Sequence, residues 1–193
     1  SVMGGLAFRK KFPGSAILFY LIITALVIPS ILISLGVGLM FSQTGFDVHW
    51  STSGFGSQLT WTLPFGLLIM FAVFNRFDKS YEEAARDQGA TPWQTIRFVV
   101  LPIIAPSLIG VALFGFTLSY DEFARTLLTA GSKNTLPLEI YGMTTNVTSP
   151  VLYALGTLTT VFSLMVILIF LLVALRVAKT KARAGSDAGK GLL

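Results

Sequence analysis

The chain contains no cysteine and a single histidine, His49. Without cysteine there is no disulfide framework, no thiolate metal site and no cysteine nucleophile. Charge is scarce as well. Only 12% of the 193 residues are Asp, Glu, Lys or Arg, against 53% that are hydrophobic. The charged share is about half of what a soluble domain carries. A soluble domain of this length cannot hide so much apolar surface in one core, but a bilayer can. The net charge of +5 does not point to nucleic acid, because the basic residues sit beside apolar stretches rather than along one polar face. Neither a nucleophile–base pair nor a cluster of metal ligands is visible, so no enzyme chemistry and no metal site is expected.

What the chain does have is long uncharged runs. Ile17–Phe41 and Val151–Leu175 are 25 residues each and Val99–Tyr120 is 22, all enough to cross a hydrocarbon core of about 30 Å. Leu59–Phe74 has only 16 residues, short enough to require help from neighbouring helices or local thinning. The expectation is an all-α membrane protein with four full spans. None of the four contains Asp, Glu, Lys, Arg or His. A carrier driven by an ion gradient keeps such groups at mid-membrane despite their cost, so a secondary transporter or channel is the weaker alternative.

Basic residues divide unevenly between the loops. Arg9, Lys10 and Lys11, the group Arg76, Lys79, Arg86 and Arg97, and the tail residues Arg176, Lys179, Lys181, Arg183 and Lys190 share one side; Arg125 and Lys133 lie on the other. Positive charge collects on cytoplasmic loops, which puts the 76–97 loop and the C-terminus in the cytoplasm.

Between the second and third runs lies a polar island dense in helix punctuation. Ser80 with Glu83 three residues on has the form of a capping box, so a short helix is expected to start at Ser80. Gly89 supplies a left-handed stop. Thr91, Pro92 and Gln94 are a second start signal: N-cap, proline at the first helical position and glutamine at the third.

The same residues resemble the EAA loop of bacterial ABC-importer permeases: Glu83-Ala84-Ala85, then Gly89, then Val99, Leu101 and Pro102 at the family's spacing, with Val99 where isoleucine is usual. The resemblance extends from Arg9 to the basic tail. It implies the helix bundle of a type I importer permease over residues 1–178, followed by a polar cytoplasmic tail at 179–193. It also implies that the helix bearing Ser80, Tyr81, Glu83, Ala84, Ala85 and Gly89 docks on cytoplasmic ATPase subunits in the bacterial inner membrane. The other partners implied are a second permease subunit, identical or homologous, and a periplasmic solute-binding protein. ATP and Mg would be held by the partner ATPase, not by this chain. Permeases of this kind commonly have about six spans, so roughly one and a half are expected ahead of Ser1, with Ser1–Phe8 as the end of a helix; the alternative is a four-span protein with a cytoplasmic start.

Phe116–Glu122 and Thr135–Tyr141 look most like the spermidine/putrescine permease subgroup, which implies a polyamine or related small cationic solute. Asp121 and Glu122 are then candidates for the translocation path, as carboxylates that attract a cation. The plainer reading is an exposed i,i+4 pair between Asp121 and Arg125. Other features read as structural. Ser30, Ser34 and Gly38 form a small-residue seam for close helix packing. His49 reads as an interfacial residue beside Trp50. Asn146-Val147-Thr148 has the form of a glycosylation acceptor without meaning in a bacterial setting. Gly185–Gly191 lacks the spacing of a phosphate loop and reads as a flexible tail.

Overall fold

The structure is a computed structural model describing residues 1–10, 12–146 and 149–190. Lys11, the Val147-Thr148 part of the acceptor triplet and residues 191–193 lie outside the described residues. Every regular element among the described residues is helical: α1 (Val2–Ala7), α2 (Ser15–Val27), α3 (Ser30–Gln43), α4 (Phe55–Asn75), α5 (Ser80–Asp87), α6 (Pro92–Thr95), α7 (Leu101–Tyr120), α8 (Leu136–Asn146) and α9 (Pro150–Lys190). α1 is helical where helix was expected ahead of Arg9.

Among the described residues, three continuous helical segments are long and apolar enough to cross a membrane: Trp50–Asn75, Pro92–Tyr120 and Pro150–Val177. The second run is therefore not short. A π-helical turn at Trp50–Gly54 leads into α4 and lengthens it to 26 residues, which removes the expected mismatch. The third begins at α6 and passes through a π-helical turn, Ile96–Val100, into α7. That turn has a local cause. Pro102 has no N–H to give to the preceding turn, and the Leu101 N–H reaches back five residues to the Ile96 carbonyl.

The first run departs from expectation. Instead of one straight helix over Ile17–Phe41, α2 and α3 meet at an angle of 107°. Ile28 and Pro29 are extended, with ψ of 130° and 131°, because a residue before proline is steered out of the helical region. At 13 and 14 residues, each half is about 20 Å long and does not cross a bilayer alone. The tail also differs: α9 continues as helix to Lys190 through the stretch expected to be flexible.

The core is small and sits toward one end, where Met70 and Phe74 of α4 meet Val100 and Ile104. α1 lies against it so tightly that a Cβ on Gly5 would come within 2.9 Å of Met70 Cβ. α7 packs on α4 and α9 on α7, while α9 buries none of its most apolar stretch within the chain. Faces left this apolar suit lipid or another membrane helix.

Candidate functional site

Two clusters lie at opposite ends of the bundle. One is built by α5, α6 and Arg9, just beyond α1; the other by the 44–54 loop and the 121–135 loop.

At the first end, α5 starts at Ser80 as expected, but the expected capping box does not form. Ser80 is the first helical residue and Lys79 the N-cap, and no side chain caps from Ser80 or Glu83. Asp78 takes that role instead: its Oδ1 accepts the Ser80 N–H at 2.9 Å. A charged acceptor two residues ahead outcompetes the neutral hydroxyl. Hydrogen bonds from Ser80, the backbone one foremost, hold the Asp78 carboxyl below the usual carboxylate range.

The stop is as predicted. Gly89 has φ of +82°, its N–H donates to the Arg86 carbonyl at 2.8 Å, and the Ala90 N–H donates to the Ala85 carbonyl at 3.0 Å. This is the paired closure of a Schellman motif. Nothing lies within 4 Å of a Cβ built on Gly89, so only the backbone angle demands glycine here. The second start is also as predicted. The Gln94 N–H donates to Thr91 Oγ1 and the Thr91 N–H donates to Gln94 Oε1 at 2.8 Å, with Pro92 leading α6.

Ser80, Tyr81, Glu83 and Ala84 are exposed and Ala85 is half-buried, with Gly89 at the exposed elbow. Two large residues beyond the motif join this surface: Trp93 at 64% and Phe98 at 67% exposure. Their signal in the sequence was the presence of aromatics within a polar island. A third residue was passed over. Glu82 points the other way, toward Arg9 and Arg86, at the edge of a cavity of about 350 Å³.

At the far end the 121–131 loop is wedged between α3 and α4. Arg125 is 0% exposed, so it is neither an outer-loop surface charge nor the partner of Asp121. It lies 4.0 Å from Glu122 through Nε, donates to Thr60 Oγ1 at 2.7 Å and sits over the Trp61 ring at 4.7 Å. The i,i+4 pair gives way because Asp121 ends α7 and stays exposed while the chain turns Arg125 inward. Burial pulls the guanidinium below the usual arginine range, with Glu122 opposing; it stays charged. Ser57 Oγ donates to the Arg125 carbonyl at 2.8 Å and Ser53 Oγ to the Thr129 carbonyl at 2.8 Å.

The small-residue seam on α3 is structural, as read, but its partner is this loop. Ser34 Oγ accepts the Leu128 N–H at 2.9 Å, and a Cβ on Gly38 would lie 2.7 Å from the Leu128 carbonyl oxygen. His49 is likewise structural: it is the N-cap of the Trp50–Gly54 turn, and its ring accepts the Ser51 N–H.

The two adjacent carboxylates therefore differ. Glu122 faces inward, with Oε1 accepting the Arg125 N–H at 3.0 Å. Asp121 borders a cavity of about 380 Å³ with Tyr120, Phe123, Tyr141 and Thr144. Phe123 and Tyr141 face each other with ring centroids 4.6 Å apart. Among the described residues no group of His, Asp or Glu could hold a metal ion.

Comparison with known proteins agrees with the helical membrane architecture. The chain is 29% identical to the spermidine/putrescine transport system permease protein PotC of Escherichia coli (strain K12) over 179 residues, which is 92% of this chain and 67% of PotC. It is 28% identical to the putrescine transport system permease protein PotI of the same strain over 154 residues, 77% of this chain and 55% of PotI. It is 30% identical to that strain's sulfate transport system permease protein CysT over 143 residues, 68% of this chain and 51% of CysT. These relatives are transport permease subunits, not enzymes. Residues 1–179 match the model of the family described as binding-protein-dependent transport system inner membrane component, and the chain belongs to that family.

Proposed function

We propose that this chain is the membrane-spanning permease subunit of an ATP-driven solute importer, with α5 as the coupling helix. The carrying observation is the exposed α5 face bearing Ser80, Tyr81, Glu83 and Ala84, stopped at an elbow that only glycine forms without strain. A surface so placed suits the groove of an ATPase subunit. ATP and Mg belong to that partner. A periplasmic binding protein delivers solute, a second permease completes the path, and closure of the ATPases drives alternating access through rigid-body movement of helices. The 76–97 loop and the C-terminus are cytoplasmic, in the inner membrane. Loop grouping supports a consistent orientation: Arg9 meets α5 at one end, and the 44–54 loop meets the 121–131 loop at the other.

Gly89→Val tests the coupling role. The variant inserts in the membrane, but ATPase recovery on co-purification and solute uptake both fall. Normal ATPase recovery and full uptake would remove α5 from the coupling role. Orientation is tested by cysteines at Ser80 and Ser132, both exposed, whereas Ser53 is fully buried and unsuited. A membrane-impermeant thiol reagent labels only Ser132→Cys in intact cells; labelling of Ser80→Cys alone would invert the topology.

The solute we favour is a polyamine or related small cation, admitted at Asp121. Support comes from an exposed carboxylate beside Tyr120, Phe123 and Tyr141, since aromatic faces and a carboxylate together attract ammonium groups. The names of PotC and PotI point the same way, while CysT serves an anion on a related scaffold. Uptake of labelled putrescine, measured against labelled sulfate, decides between these chemistries.

A further inference from the structure

α5 is fastened to the bundle at a second point besides its covalent ends. Arg9 follows α1, 73 residues before Glu82, and its Nη1 donates to Glu82 Oε1. Each of the two side chains is only 15% exposed. The Arg9 guanidinium lies 5.3 Å from the Phe74 ring centroid and 5.2 Å from that of Phe77, at the end of α4 and in the segment leading to α5. Phe77 meets Tyr81 of α5 edge-on at 6.4 Å, and Arg86 holds Glu82 from within α5 at 3.8 Å. α1 cannot slide easily against α4, because the Gly5 site already abuts Met70 and Phe74.

A load on α5 thus has three exits. Two run along the chain, back through residues 76–79 to α4 and forward through Gly89 and Thr91 into α7. The third runs sideways through Glu82 to Arg9 and the α1–α4 pair. We propose that Arg9 and Glu82 form a clamp that makes α5 move as one body with α1 and α4, so that a coupling stroke carries α1 and α4 with it instead of flexing the short link at residues 76–79. This inference rests on the coupling role proposed above. An exposed ion pair contributes little. This one is mostly shielded, and its guanidinium stacks on two rings, so removing either charge strands the other in a place poor in water. Both residues are positioning residues; the α5 surface offered to a partner lies on the other side, at Tyr81, Glu83 and Ala84.

The absence of cysteine makes the test direct. Spin labels at Ala7→Cys and Asp87→Cys, both exposed positions, report the distance from α1 to α5 in the permease assembled with its ATPase, before and after a non-hydrolysable ATP analogue. With Arg9 and Glu82 intact, the distance distribution stays fixed on adding the analogue. With Glu82→Gln it shifts and broadens, although the ATPase still co-purifies. The exchange Arg9→Glu with Glu82→Arg restores the fixed distance, which a merely structural loss would not. The clamp is overturned, and the coupling role left standing, if the distance responds equally in all three proteins, or stays fixed in Glu82→Gln, while the ATPase is retained. If the unaltered permease does not retain the ATPase, the coupling role fails and the clamp with it.

Discussion

The two ends of the bundle carry equally sharp backbone turns and hold them by opposite means. Gly89 and Gly131 both have positive φ, +82° and +73°. Around Gly89 there is open space, and its turn is written in neighbouring residues: Arg86, Ala85 and Ala90 supply the closing hydrogen bonds. Around Gly131 the chain is pressed from outside, with a built Cβ only 2.1 Å from the Val48 carbonyl oxygen. One turn is held by contacts close in sequence and presents its surface; the other is held by contacts far apart in sequence, beside a concealed charge. A turn that leaves its outer face free needs local support. A loop that closes the end of a bundle has its support behind it.

The largest expected effect lies in the concealed end. Arg125→Ala leaves Glu122 without its cation, empties the space over Trp61 and strips Thr60 of its donor, a loss of about 3 kcal/mol or more. Thermal unfolding in detergent measures it; an unchanged midpoint would mean the 121–131 loop is not locked by this residue. Next comes the glycine pair. Alanine costs roughly 1 kcal/mol at either site from the backbone angle alone, but Gly131→Ala adds a collision with Val48 that Gly89→Ala lacks. Gly131→Ala therefore lowers thermal stability well beyond Gly89→Ala, and equal losses would erase the distinction between the ends.

A subtler difference separates the two carboxylates. Asp121→Asn lowers uptake of labelled putrescine several-fold at low salt, where screening is least, and leaves stability unchanged. Glu122→Gln does the reverse, lowering stability with the loss of its charge toward Arg125. Matching uptake defects with no stability change would return the two acids to one shared role. The smallest effect concerns the start of α5. The folded Asp78 carboxyl is held below its ordinary value, so its contribution is fully present above about pH 4 and is lost as pH falls through the lowered value. Amide exchange in α5 accelerates only at the acid end of that range, and Asp78→Asn, still an acceptor, shows little change at neutral pH. Fast exchange at neutral pH in Asp78→Asn would show that the charge, not the acceptor, starts the helix.

What the sequence disclosed follows the same division. The elbow at Gly89 and the box at Thr91 and Gln94 were legible because each is settled within six residues. The start at Ser80 was legible too, but the cap was misassigned because a competitor, Asp78, stood just outside the pattern. Pro29 announced the break in the first apolar run, but uninterrupted hydropathy outweighed it. Arg125 looked like an exposed partner for Asp121 because spacing says nothing about which way a loop turns at a helix end. The pairing of Arg9 with Glu82 had no local sign at all, as two chain segments 73 residues apart meet there.

The π-helical turn at Ile96–Val100 has a mechanical consequence. Without it Pro102 would end one helix and begin another; with it, Pro92–Tyr120 is a single rod of 29 residues. Such a rod is about 44 Å long, well over the roughly 30 Å of hydrocarbon it crosses. Its first turns stand outside the apolar core beside the elbow at Gly89, and its last residue, Tyr120, stands beside Asp121. Pivoting the rod by roughly 10° about one end would carry the other about 7–8 Å. The polar elbow and the cavity at Asp121 thus sit at the two tips of one rod, with its most compliant joint only a few residues from the elbow.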